Sequence, residues 1–280
     1  MPSLEADLDL QALYCMFKGE PGTRKTTQAI SFPLPIYIFD WDQKRSSAFL
    51  PAMKWGIDVS QIHGDDYSDY DAARIKMEKL QVNCPYKTLI LDSITSVGDW
   101  ALRQAMKAKT GKVRQSGQRA GIEIGGIQVN ELEDYKAESA ALLELVALTK
   151  DIHKFYKVNI IFIAHVLRTE FSQNGETQIS RSIVTAGKKV AAKLPAYMKE
   201  VYHFNVSKQM GGGTYGCLTT HTGDDFARTI LPLPDKIEFG DKPLYPNWIK
   251  PAMDELRKLA TPKPITEETQ KVTPFKSKEN

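Results

Sequence analysis

A chain of 280 residues, 42% hydrophobic and 25% charged, has the make-up of a soluble globular protein, long enough to bury a sizeable core in one large domain or two small ones. Its net charge of +3 excludes a globally basic surface, so any affinity for nucleic acid must come from local clusters. Cys15, Cys84 and Cys217 are odd in number and lack metal-site spacing, which argues against a disulfide framework or a zinc site and points to a reducing cytoplasm. Glu5, Asp7 and Asp9 stand where a secretion leader needs a basic and then an apolar run, and no apolar run approaches the roughly 18 to 20 residues of a membrane span, so no membrane contact is expected.

Five short apolar runs read as buried strands: Leu13 to Phe17, Pro35 to Phe39, Thr88 to Leu91, Asn159 to Ala164 and Val201 to Val206. Helical patterns separate them at Tyr70 to Leu80, Val97 to Ala108 and Leu132 to Tyr156. This alternation predicts an α/β fold with a mostly parallel central sheet flanked by helices. Two stretches, Phe171 to Ile183 around the turn signal Asn174-Gly175, and Tyr215 to Thr222, read as antiparallel β additions. A last helix over Trp248 to Leu259 precedes a tail rich in Pro, Thr, Lys and Glu. The expected organisation is one domain over residues 1–260, with a hairpin insertion at about residues 166–185, and a disordered tail over residues 261–280.

The first strand runs into Gly19-Glu20-Pro21-Gly22-Thr23-Arg24-Lys25-Thr26-Thr27 and then a helix over Gln28 to Ser31. Strand, loop and helix in this order are the setting of a phosphate-binding loop. Glycines let backbone N–H groups curl round phosphates, the helix start adds positive potential, Lys25 bridges the β and γ phosphates of ATP, and Thr26 holds Mg²⁺. One position departs from the pattern: Arg24 stands where a glycine precedes the lysine. Its side chain must either point away from the phosphates or reach round and add a cation beside them.

Three further strand ends carry polar groups that the same chemistry uses. Thr88-Leu89-Ile90-Leu91-Asp92 places an acid at the carboxyl edge, where it can hold Mg²⁺ through water, unless it serves only as a helix N-cap. Ile38-Phe39-Asp40-Trp41-Asp42 offers Asp42 as the acid that polarises an attacking water, with Asp40 as rival; the bland alternative is a pair of exposed turn carboxylates. His165, closing Phe162-Ile163-Ala164, is placed to sense the γ-phosphate, or is a solvated strand end.

Together GEPGTRKTT, IFDWD, TLILDSITS and IIFIAH resemble the RecA-like ATPase core, and most nearly phage-encoded RecA-core ATPases of single-strand annealing and recombination. The resemblance covers about Leu13 to Pro234. It implies a RecA-like sheet with a C-terminal antiparallel extension, ATP hydrolysis with Mg²⁺, homo-oligomers with ATP between subunits, single-stranded DNA as effector, a single-strand-binding protein as possible partner, and the cytoplasm of a phage host as location. Residue by residue, Lys25, Thr26 and Asp92 match the family's motifs, His165 matches the sensor position, and Asp42 stands where the family has a glutamate. Asp225 to Thr229 resembles the segment that reaches into a neighbour's site, which makes Arg228 an arginine finger in trans; an ordinary surface arginine is the alternative.

Arg103, Lys107, Lys109, Lys112, Arg114 and Arg119 fall in a stretch without an acid, Gly- and Ser-rich after Thr110. Such a segment can neutralise several backbone phosphates, or be merely a solvated loop. Lys188 and Lys189, with Arg181 and Lys193, make a second basic surface after the hairpin. With few aromatics in either, backbone binding is expected rather than base readout. Two other readings stay open: an ATPase switch that acts on a partner protein, and a nucleotide-binding module with little hydrolysis.

Overall fold

The computed structural model describes residues 11–110, 123–124, 127–128, 134–173, 176–185, 188–209, 212–222 and 225–260. The Asn174-Gly175 turn, most of the basic stretch after Thr110 and the tail lie outside them. The strands are β1 (Tyr14–Gly19), β2 (Ile36–Asp40), β3 (Ile62–Asp66), β4 (Thr88–Asp92), the short ladder β5 (Glu123–Ile124) with β6 (Ile127–Gln128), β7 (Asn159–Gln173), β8 (Glu176–Ile183), β9 (Glu200–Gln209), β10 (Gly212–Leu218) and β11 (Lys236–Glu238). The helices are α1 (Lys25–Ala29), α2 (Phe49–Lys54), α3 (Tyr70–Val82), α4 (Ile94–Thr110), α5 (Asp134–Tyr156), α6 (Lys188–Lys193) and α7 (Lys250–Ala260).

One sheet runs in the order β11-β10-β9-β1-β7-β4-β2-β3, with β8 paired to β7. From β9 to β3 every pair is parallel, and β8, β10 and β11 add antiparallel pairs. The architecture is the mixed α/β fold with a mostly parallel central sheet that the alternating pattern predicted.

Alternation along the strands fills two cores. Tyr14, Met16, Phe39, Leu89, Leu91, Ile160 and Phe162 face the layer of α3, α4 and α5, whereas Cys15, Phe17, Ile38, Ile90, Ile161 and Ile163 face the layer of α1, α2 and α7. Burial on both faces explains why the strands read as unbroken apolar runs. α3 illustrates the helices: Asp69 caps it by accepting from the Asp71 amide at 2.9 Å, and Tyr70, Ala73, Met77 and Leu80 recur at helical spacing on its buried face.

Three elements depart from the sequence reading. The strand Asn159 to Ala164 and the first hairpin arm are one 15-residue strand, β7, which passes straight through His165. β3 was missed because a polar edge strand, Ile62-His63-Gly64-Asp65-Asp66, buries little beyond Ile62. Finally, α1 starts at Lys25 rather than Gln28 and ends at Ala29, because the loop closes directly into helix, with the Gln28 amide already bonded to the Arg24 carbonyl at 2.9 Å.

The register explains where the chemistry gathers. Gly19 pairs with His165, Asp92 pairs with Ile163, and Asp40 pairs with Asp92. The ends of β1, β4 and β2 therefore lie level at one carboxyl edge, with His165 between them, because β7 separates β1 from β4.

Candidate active site

β1 ends in a glycine for a steric reason: a Cβ on Gly19 would stand 2.4 Å from the Phe204 carbonyl oxygen of β9. The loop turns through left-handed backbone at Gly22 (φ 80) and again at Arg24 (φ 67), and then enters α1. Arg24 thus adopts the conformation its glycine counterpart would use, and its side chain points away from the loop. The guanidinium bonds Asp241 at 2.5 Å and the Gly240 carbonyl at 2.9 Å, and stacks 3.8 Å from the Tyr215 ring centre. Of the two orientations open to Arg24, the structure takes the first.

Lys25 is 4% exposed and donates to the carbonyls of Gly19 (2.9 Å) and Glu20 (2.8 Å) and to Thr23 Oγ1 (3.4 Å). Burial pulls its ammonium down to about 8, against the opposing pull of Asp92, Asp42 and Glu20. The Thr26 hydroxyl donates to Asp92 Oδ2 at 2.6 Å, so loop and acid-ended strand meet directly. Asp92 is not a helix cap. That role belongs to Ser93, whose Oγ accepts from the Ser96 amide at 3.3 Å and whose carbonyl accepts from Val97 at 3.1 Å.

The rival carboxylates separate clearly. Asp40 is fully buried and accepts from the amides of Lys44 (2.9 Å) and Arg45 (2.8 Å), which makes it the anchor of the turn after β2. Asp42 faces the site. It accepts from Ser93 Oγ at 3.1 Å, from Ser96 Oγ, and from His165 Nε2 at 3.1 Å. Burial pushes its carboxyl up, but the hydrogen bonds from His165, Ser96 and Ser93 outweigh it and hold the group down at about 2. Neither acid is the exposed turn carboxylate of the bland reading. Ser93 and Ser96 were missed from sequence; the Ser-x-x-Ser spacing at a helix start was the only signal, and it says capping rather than catalysis.

The remaining sequence candidates are placed as follows. Arg228 is exposed, its backbone bridges Val201, and its guanidinium donates to the carbonyls of Ala196 (3.3 Å) and Met198, so within one chain it secures the turn at Leu194–Tyr197. Arg103 is exposed on α4, with its guanidinium 4.8 Å from the Trp100 ring centre. The side chains of Lys107, Lys109, Lys188 and Lys189, and the residues Lys112, Arg114 and Arg119, lie outside the described residues.

A family profile described as AAA domain matches residues 12–229, from just before β1 to just past the Arg228 bridge. The chain belongs to the AAA domain family. Among solved structures, a KaiC-like protein from the hyperthermophilic archaeon Pyrococcus horikoshii OT3 is similar over 78% of this chain and 81% of its own, with 14% identity and a TM-score of 0.41. No curated protein matches the sequence. Among the described residues of this AAA domain, no helix is long and apolar enough to cross a membrane.

The donor set of the AAA domain fits a small hard cation. Thr26 Oγ1 and Asp92 Oδ2 converge beside the start of α1, and both are the oxygen ligands Mg²⁺ prefers. Burial first, then the nearby Asp42 and Asp40, raise Asp92 to about 6, against the lowering hydrogen bond of Thr26; a buried carboxylate under this strain gains from a counter-cation. Mg²⁺ bound here would neutralise phosphate charge. Because the cation must displace a proton from Asp92, Mg²⁺ affinity is expected to weaken as pH falls through about 6, which a titration of Mg²⁺-dependent nucleotide binding between pH 5 and pH 8 will read.

Arg24 can be tested in the same AAA domain. Left-handed backbone costs a non-glycine residue roughly 1 kcal/mol, and an ion pair with one fully solvated partner returns about the same or less. Arg24→Gly should therefore change the unfolding free energy by no more than about 1 kcal/mol in chemical denaturation. A larger loss would mean that the stack on Tyr215 holds the loop to the C-terminal strands.

Proposed function

We propose that this AAA domain is a Mg²⁺-dependent ATPase that acts on single-stranded DNA in recombination, annealing or repair, as a homo-oligomer. The observation that carries the ATPase reading is the meeting of Lys25, Thr26, Asp92, Asp42 and His165, from four separate segments, at one sheet edge. Phosphate loop and helix start bind the nucleotide. Lys25 supplies charge against its terminal phosphates, Thr26 and Asp92 hold Mg²⁺, and Asp42 orients the attacking water, with His165 beside it to register the terminal phosphate.

The DNA reading rests on the basic segment Arg103 to Arg119 and on its attachment. α4 begins beside Ser93 and Ser96, the residues that cradle Asp42, and its second half already carries Arg103, Lys107 and Lys109, the first basic residues of that segment. A helix joining the two gives a physical route by which a bound strand could alter the cradle. ATP turnover measured with and without single-stranded DNA over a salt series is the test. Stimulation that fades steeply with salt and disappears when Arg103, Lys107, Lys109, Lys112, Arg114 and Arg119 are neutralised is the expected result. Turnover indifferent to DNA would overturn this reading in favour of a switch acting on a partner protein.

A second reading has an observation of its own. Three donors already engage Asp42, two of them on Oδ1, and a carboxyl held at about 2 is a weak proton acceptor, which favours a nucleotide-binding module with slow hydrolysis. Tight ATP binding without turnover, with or without DNA, selects it.

A further inference from the structure

On the far side of β1 from Asp92, a second group of charged side chains is enclosed beside the phosphate loop. Lys18, the residue before Gly19, is 3% exposed, and its register partner on β9 is His203, equally buried. Both continue the face that Met16 and Val201 present to the core. Arg181 reaches in from β8 and bonds Asp225 Oδ2 at 2.8 Å, and His203 Nε2 stands 3.6 Å from Asp225 Oδ1. Phe226 lies over the Lys18 ammonium at 5.9 Å.

This group is incomplete in two respects. Asp225 Oδ1, His203 Nδ1 and, two residues along the same face, Asn205 Oδ1 are buried and have no hydrogen-bond partner among the described residues. Buried polar atoms are nearly always paired, so unpaired atoms on both of the facing side chains Asp225 and His203 mark a place where something polar belongs. Second, Lys18 interacts with Asp225 and Arg181 through space rather than by a hydrogen bond. Burial lowers its ammonium only to about 8, so it remains mostly charged at neutral pH. His203, driven down to about 4 by burial, with Asp225 pulling the other way, is neutral there. Two cations around one carboxylate leave one positive charge unbalanced in an enclosed space, a costly arrangement that an anion relieves.

We propose that Lys18, Arg181, His203 and Asp225 form a second oxyanion site, which takes inorganic phosphate in preference to sulfate. Lys18 and Arg181 donate to its oxygens, while neutral His203, its proton on the Nε2 that faces Asp225, leaves Nδ1 as an acceptor for a proton the anion carries. Asp225 Oδ1 sets the preference. Phosphate carries at least one proton at neutral pH and can donate it to this carboxylate, whereas sulfate carries none and meets only repulsion. The enclosure of Lys18 and His203 selects a small free anion over the backbone of a nucleic-acid strand. Proximity to the loop makes the phosphate released by hydrolysis the natural source; that link alone rests on the ATPase reading, and the binding does not.

The test is calorimetric titration of inorganic phosphate and of sulfate into two proteins: Lys25→Ala, in which the loop's own anion site is disabled, and wild type with the loop filled by a non-hydrolysable ATP analogue. Saturable phosphate binding in both is expected, with sulfate weaker by about 10-fold or more. Lys18→Met, which keeps the aliphatic packing, should weaken phosphate by roughly 10- to 100-fold and leave analogue affinity unchanged. Asp225→Asn should erase the preference over sulfate; if it does not fold, Arg181→Gln, which removes a donor common to both anions, should weaken phosphate and sulfate alike by roughly 10-fold or more. Absent saturation, equal affinity for sulfate, indifference to Lys18→Met, or displacement of phosphate by an oligothymidylate each overturns the proposal. Should the analogue itself fail to bind, the nucleotide reading fails, while the Lys25→Ala titration still decides this one.

Discussion

Lys25→Ala is expected to reduce ATP turnover by roughly 10²- to 10³-fold, the usual cost of removing one preorganised charge from a phosphoryl-transfer site. Lys25 donates to the Gly19 and Glu20 carbonyls and to Thr23 Oγ1, so the substitution also removes three internal hydrogen bonds of the loop. ATP affinity should fall along with turnover, and a fluorescent-nucleotide titration beside a phosphate-release assay will separate the two. Turnover within a few-fold of wild type would show that the loop does not carry the chemistry.

Asp92→Asn should make the protein more stable and less active. The folded carboxyl titrates at about 6, above its ordinary value, so the fold favours the protonated form. Its contribution to stability is fully present below about pH 4 and is lost as pH rises through about 6. At neutral pH the buried charge therefore destabilises the cation-free protein by about 3 kcal/mol, taking roughly 1.4 kcal/mol per unit. An amide has no proton to lose, and its carbonyl can still accept from Thr26. Without Mg²⁺ and nucleotide, the variant is expected to melt several degrees higher than wild type at pH 7.5, with the gap closing towards pH 4. Mg²⁺-dependent turnover should drop by about 10²-fold or more. An unchanged melting point across that range would mean that Asp92 is better solvated than its burial indicates.

The division between what could be read from sequence and what could not follows the range of each interaction. Asp92 and His165 were legible because a buried parallel strand is an apolar run, and its end is where polarity returns. Lys25 and Thr26 were legible because their spacing is local to one loop. Sequence put Asp42 forward with Asp40 as rival, but the setting that separates them depends on Ser93, Ser96 and His165 arriving from the end of β4, from α4 and from β7. Likewise, the direction of Arg24 is decided by Asp241 and Tyr215, more than 190 residues away. Lys18 carries no local signal, being a single polar residue after an apolar run. Only the pairing of β1 with β9 and the inward turn of Arg181 give it a setting. β7 was divided in two because Arg168, Thr169 and Glu170 interrupt its apolar run, and its continuity beyond Val166 is carried by backbone pairing to β8.

That continuity has a mechanical meaning. At about 3.3 Å per residue, the stretch from His165 to Gln173 is a stiff rod about 26 Å long, braced by β8 and rooted between β1 and β4. A tilt of about 5° at its root would sweep its far end through about 2 Å. The residue that touches the acid is the fulcrum, and the hairpin is the pointer.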